Sequence, residues 1–224
     1  MTGVARAEFS GTIRILAFQF NGPVREYRVA DAKGTPLDDN PLPLSATQLS
    51  PALGVHSREL VFLPPQEKTP AGGNAQKPPT TATIPADAVH VTLPDGVESD
   101  YYLIFLPGAS GGAAPYRVQA LAISPKDFKS GSHAILNYTD AEIGCILGKS
   151  KVLVGSCKCS VIPAGKDEGL ETFGCYEKKQ GEEWSARPFY SGRLVIQKGV
   201  RQLLIISRNS ETGDAQFRGV TDYL

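Results

Sequence analysis

"YYLIFLPGASGGAAPYRVQALAIS", residues 101–124, decides how the rest of the chain is read. It opens on a strand-sized apolar run, 101–108, and then passes into glycine at Gly108, Gly111 and Gly112. A glycine-rich loop behind a strand cradles phosphate only when a helix N-terminus follows at once and presents its amides and dipole. Here Pro115 follows, and then "YRVQALAIS" (116–124), another strand-like run. The glycines therefore predict a hairpin connection.

Outward from this hairpin the same pattern recurs. "FSGTIRILAFQF" (Phe9 to Phe20) alternates apolar with polar or small residues, and "VREYRVAD" follows the turn signal "NGP". Short β-rich runs then appear at 58–65, 88–94, 132–140, 151–156, 158–163, 170–178, 192–199 and 201–209. Each run ends near Pro, Gly, Ser or Asn. Strands at this spacing predict a sandwich or barrel, not βαβ units. The expectation is an all-β, immunoglobulin-like antiparallel β-sandwich with at most short helical turns. Only "SATQLSPAL" (45–53) and "TDAEIGCIL" (139–147) read as weak helix candidates. The first is interrupted by Pro51 and the second by Gly144.

The stretch "PPQEKTPAGGNAQKPPTTATIP" (64–85) carries six prolines and almost no large apolar residue. It cannot bury enough surface to offset the entropy of ordering it. The expected organisation is one domain over 8–224 with 64–87 as a long exposed loop. The alternative is two β modules, 1–64 and 88–224.

Bulk chemistry narrows the function classes. Lys+Arg and Asp+Glu both number 23, so the formal net charge is zero. The charges are interspersed, so there is no general pull on nucleic acid or anionic lipid. No apolar run reaches the roughly 18 residues of a membrane-spanning helix. The start, "MTGVARAEFSGT", lacks a basic region followed by an apolar run. Either the chain is cytosolic, or a targeting segment has been removed.

The catalytic templates find little. His56, His90 and His133 have no HxH or HxxxH neighbours, and no GxSxG elbow occurs. The bland reading, an imidazole half-buried or on an edge strand, outweighs a ligand or base. A triad assembled across strands around one of them is the weaker alternative. Asp38/Asp39 and Glu182/Glu183 lie in turns and read as solvated surface. No catalytic residue, cofactor or metal ligand set is assigned. Trp184, Phe189 and Tyr190 lie close together in "EEWSARPFY" and are the candidate ligand surface, as in a carbohydrate-binding module. The competing reading is packing. "NYT" at Asn137–Thr139 matches the N-glycosylation triplet but overlaps a strand end.

The four cysteines, Cys145, Cys157, Cys159 and Cys175, fall within 31 residues. Zinc ribbons want paired CxxC knuckles. On an extended strand, Cys157 and Cys159 would share a face with Cβ atoms about 6.5–7 Å apart. A disulfide needs about 3.8 Å. Each is expected to bond a flanking cysteine, with 145–157 and 159–175 preferred over 145–159 and 157–175. The pairing 157–159 with 145–175 ranks last on this argument. A four-thiolate metal site is the alternative. Disulfides imply an oxidising compartment.

At "DFKSGSHAILNYTDAEIGCILGKSKVLVGSC" (127–157) a resemblance appears. An aromatic, the turn at Gly131, "AILNYT", the "IGCILG" turn, a strand and Gly155 follow in order, and residues 101–121 fit the same scheme. About half the chain resembles small secreted immunoglobulin-like β-sandwich proteins encoded beside type IV pilus components in mucus-dwelling gut bacteria. The resemblance implies a pilus-associated or cell-surface role, in the periplasm, at the outer membrane or outside the cell. It implies protein partners or self-association and no enzyme activity. The chain lacks the long apolar N-terminal helix of a pilin.

Overall fold

The structure, a computed structural model, describes residues 9–19, 25–64, 84–95, 100–108, 116–163, 165, 168–179 and 181–224. It is all-β and sandwich-like, and no helix occurs among the described residues. No helix there is long and apolar enough to cross a membrane.

The chain divides into two compact units, Met1–Ser124 and Pro125–Leu224. This corrects both expected organisations, one sandwich over 8–224 and a break at 64–87. The first unit contains β1 Gly11–Ala17, β2 Arg25–Asp31, β3 Leu42–Leu44, β4 Leu53–Val55, β5 Glu59–Leu63, β6 Val89–Thr92, β7 Asp100–Pro107 and β8 Tyr116–Ile123. The second contains β9 His133–Asn137, β10 Glu142–Leu147, β11 Ser150–Val154, β12 Cys159–Ile162, β13 Gly169–Lys178, β14 Tyr190–Ile196, β15 Val200–Arg208 and β16 Ala215–Tyr223.

Unit 1 has two sheets, ordered β4-β1-β7-β8 and β3-β2-β5-β6. Unit 2 has two as well, ordered β12-β9-β15-β16 and β11-β10-β13-β14. Subtracting eight from each strand number of unit 2 reproduces unit 1. The fold is one eight-stranded design used twice. In both copies the first strand runs antiparallel to the fourth and parallel to the seventh. The exit from the first strand also repeats. The Phe18 amide donates to the Phe105 carbonyl at 2.8 Å, and the Tyr138 amide to the Ile206 carbonyl at 2.7 Å. These bonds make Ala17 equivalent to Asn137, Ile15 to Ile135 and Ile13 to His133.

The repeated topology explains why residues 1–64 do not form a module. They contribute only β1 to β5, and β1 needs β7 as its parallel neighbour. The proline-rich segment instead joins β5 to β6, which pair directly from Glu59↔Thr92 to Phe62↔Val89. Residues 65–83 lie outside the described residues. The hairpin at 101–124 is present, with β7 and β8 paired from Asp100↔Ile123 to Pro107↔Tyr116.

Local sequence accounts for most strands. β6, "VHVT", alternates buried and exposed as a one-sided strand should. β7 and β15 are buried on both faces and read as continuous apolar runs. The core of unit 1 is aromatic: Phe105 meets Phe62 edge-on at 5.1 Å and Tyr116 edge-on at 5.8 Å. Each such ring contributes roughly 1.5–3 kcal/mol by burial. The stretch 139–147, a weak helix candidate, is mostly strand β10. Ile143, Cys145 and Leu147 are buried with period two, which outweighs the capping signal at its start. The stretch 45–53 is irregular and ends at the start of β4.

Asn137 ties the two sheets of unit 2 together. It is 1% exposed at the end of β9. Its Nδ2 donates to the Ala141 carbonyl at 2.7 Å and to the Val154 carbonyl, on β11, at 2.9 Å. Its Oδ1 accepts from the Thr139 amide at 2.9 Å and hydroxyl at 2.7 Å. The "NYT" triplet is therefore a structural hub whose amide is inaccessible in the folded chain. Replacing Asn137 by alanine removes these four buried hydrogen bonds. The expected loss is about 3 kcal/mol, read as a lower urea midpoint. A loss below about 1 kcal/mol would contradict this role.

Candidate functional site

Unit 2 carries the chemistry-bearing residues singled out above. The "CKC" stretch is not an extended strand. Cys157 has φ of 56° and sits exposed in a turn closed by the Lys158 amide donating to the Gly155 carbonyl at 3.1 Å. Cys159 begins β12, opposite Leu136. The same-face argument for the pair does not apply, because one of its members lies in the left-handed region.

All four cysteines are free, and the strand register does not bring together the expected pairs 145–157 and 159–175. Cys145 and Cys175 are direct antiparallel partners on β10 and β13, with Sγ atoms 3.3 Å apart. Both are buried, while Cys157 is exposed and Cys159 lies in the other sheet. The four sulfurs do not converge on a point, and no group of three His, Cys, Asp or Glu that could hold a metal occurs among the described residues. The contact with Cys145, then burial, pushes the Cys175 thiol far above its ordinary range. Cys159, half-buried by surface but densely surrounded at the sulfur, is pushed up to about 11 by desolvation. Neither is a thiolate nucleophile at neutral pH.

The three aromatic rings part company. Phe189 and Tyr190 pack against the core of unit 2, where Tyr190 stacks on Phe217 at 4.1 Å and lies 6.0 Å from Phe173. They form no exposed row with Trp184. Trp184 lies outside, 37% exposed, in the connection between β13 and β14. Ser185 anchors that connection: its amide donates to the Glu177 carbonyl at 2.9 Å, and its Oγ accepts from the Glu177 amide at 3.2 Å. The indole is thereby laid over Gly144 of β10. A Cβ on Gly144 would lie 3.2 Å from the ring, and Leu153 Cδ2 is 3.6 Å from the same point. Sequence reading saw Gly144 as a helix breaker; its role is to leave room for Trp184.

The Lys178 ammonium sits 5.9 Å from the indole centroid. Lys178 also lines an open depression of about 280 Å³ with Asp140, Glu142, Ser156 and Lys179 among its neighbours. Arg208, outside that lining, pairs with Asp140 at 2.7 Å and with Glu177. The depression carries both signs of charge.

The histidines do not gather a triad. His56 and His90 are exposed, on different segments of unit 1. His133 is 1% exposed and opposes Gln202 across the parallel register. Its ring nitrogens have no hydrogen-bond partner of ordinary geometry. Burial pushes its pKa down to about 4, with Gln202 acting in the opposite sense. It is a neutral core residue where unit 1 has Ile13.

The buried Arg201 of unit 2 is paired, whereas Gln202 Oε1 and Arg218 Nη2 are buried without a hydrogen-bond partner. Arg201 Nε donates to Asp222 at 2.7 Å and Nη1 donates to the Phe128 carbonyl at 2.8 Å, with the guanidinium 4.8 Å from the Phe128 ring centroid. Sequence reading passed over this pair because its two residues stand 21 positions apart. No protein-family model matches the chain, and comparison with curated proteins gives no match.

The buried His133 makes a pH prediction. Its folded pKa, about 4, lies below the unfolded 6.5, so the unfolded chain takes the proton first. The contribution is full above pH 6.5 and is lost as pH falls toward 4. It amounts to about 3 kcal/mol. His133→Leu should lose that much less stability across this window in urea titrations. An unchanged pH slope would contradict it.

Proposed function

We propose that this chain is a non-enzymatic, exported, immunoglobulin-like β-sandwich protein of cell-surface or pilus-associated assembly or adhesion. It binds protein partners or further copies of itself. The observation that carries this reading is the duplication: one sandwich design repeated, the build of many modular cell-surface proteins. Each sheet ends on two edge strands, the surface to which a partner adds a strand. On the outer face of unit 2, Leu170 and Val195 stand opposite each other on β13 and β14, 62% and 49% exposed. The clustered cysteines support an oxidising, extracytoplasmic setting with disulfide bonding.

The test is localisation and cross-linking in the source cell. The protein is expected outside the cytoplasm, labelled by impermeant reagents and captured in cross-linked species that Leu170→Asp with Val195→Asp removes. Recovery in the cytosolic fraction alone would overturn export, and cross-linking indifferent to both changes would overturn this contact surface.

A second reading rests on Trp184. An indole packed on Gly144 and part-exposed, with Lys178 near both it and a mixed-charge depression, would offer a platform for a sugar ring, and the chain would then serve as a carbohydrate-binding module. Trp184 is the single tryptophan of the chain, so its fluorescence reports the site directly. Glycan titration should shift that emission, and Trp184→Ala should abolish array binding at least about 10-fold. Binding that survives the change would exclude this platform.

A further inference from the structure

Cys145 and Cys175 occupy a position that the fold fills in another way elsewhere. The corresponding strands of unit 1, β2 and β5, place Val29 opposite Phe62, an ordinary buried apolar pair. The design therefore has no need of two sulfurs at that point. In unit 2 the two cysteines are direct antiparallel partners with Sγ atoms 3.3 Å apart. Directly opposed residues have Cα atoms about 4.5–5.5 Å apart, inside the roughly 4.4–6.8 Å that a disulfide spans. Closing the bond asks for side-chain rotation and no backbone movement. Cys157 and Cys159 have no comparable placement. One is exposed on a turn and the other faces Leu136 in the opposite sheet.

We propose that Cys145 and Cys175 are the site of an intrachain disulfide, formed by exchange with a disulfide-bearing oxidant before β10 and β13 close together. The thiolate of one cysteine attacks a sulfur of the oxidant and releases one oxidant thiolate, leaving a mixed disulfide. The second cysteine's thiolate attacks the chain's own sulfur in that mixed disulfide and releases the second oxidant thiolate. Two cysteine thiols are oxidised, the oxidant's S–S bond is reduced to two thiols, and the two cysteine protons end on them.

The timing follows from burial. In the folded chain Cys145 is 1% exposed and Cys175 0%. An oxidant of glutathione size cannot reach either sulfur, and burial with the mutual contact keeps Cys175 protonated. Whichever redox form the chain folds in is locked. The proposal deepens the export reading, and rests on it only for where the oxidant is met.

The experiment refolds the reduced full chain with oxidised and reduced glutathione, blocks free thiols after denaturation, and maps tryptic peptides without reduction. Cleavage after Lys149, Lys158 and Lys166 puts the four cysteines on four peptides. The expected product is the Cys145 peptide joined to the Cys175 peptide, formed equally by a Cys157→Ser/Cys159→Ser variant. The Cys157→Ser/Cys159→Ser variant refolded without oxidant should then react with glutathione disulfide at least about 100-fold slower than the same variant denatured. Four free thiols after oxidative refolding, a 145–157 or 159–175 link, or loss of the bond in the double variant would overturn it. If refolding aggregates, chain secreted into an oxidising compartment and mapped in the same way decides between the same outcomes. Export is read separately, by fractionation, so either claim can fail alone.

Discussion

The first strand of each unit holds that unit closed. β1 lies between β4 and β7, and β9 between β12 and β15, so removing either leaves its sheet in two pieces. The bond from Thr12 Oγ1 to Asp100 Oδ1, 2.5 Å across 88 residues, shows how far the chain must return to make this seam. Closing such a loop costs entropy that grows only slowly with length, but the ladder that rewards it forms late. The other ladders mostly join strands near in sequence. The seam is the constraint on which the sandwich depends, and it makes Ser124–Pro125 the natural division, since β8 must first fold back on β7.

The two copies share this seam and fill it differently. Unit 1 packs rings and aliphatic chains around Phe105. Unit 2 places His133 where unit 1 has Ile13 and Asn137 where it has Ala17, and it opposes two cysteines on β10 and β13, the counterparts of β2 and β5. It also buries the Arg201–Asp222 pair. Buried polar groups are costly unless satisfied; Asn137 and Arg201 are hydrogen-bonded. His133 is not, and its burial disfavours the protonated imidazole. The same unit carries the thiol pair and the part-exposed Trp184.

Much of this was legible in the residues. The runs at 101–108, 116–124 and 201–209 announced β7, β8 and β15 because apolar composition and turn punctuation agree there. β3 and β4 were missed because three-residue strands carry no period, and β16 because only Val220 and Asp222 are buried along it. The duplication left no mark, since equivalent positions hold residues as unlike as Ile13 and His133. Topology, not side-chain identity, is what repeats. The cysteine pairing was misjudged for one local reason: Cys157 takes a left-handed turn conformation that sequence does not advertise for a non-glycine residue. The site around Trp184 was half legible. Its aromatic was noticed, but Gly144, 40 positions earlier, acquires its meaning only when β10 and the β13–β14 connection meet.

Surface role, thiol pairing and acid response all presuppose two sandwiches, each closed by its own first strand. Hydrogen exchange on the intact chain tests that most directly. The amides of β1 and β9 that bond into the seam should exchange with the slowest in their units, alongside β7 and β15 and well behind the edge strands β3, β6, β11 and β14. Exchange of β1 or β9 as fast as those edges would contradict the seam, and with it the duplicated sandwich.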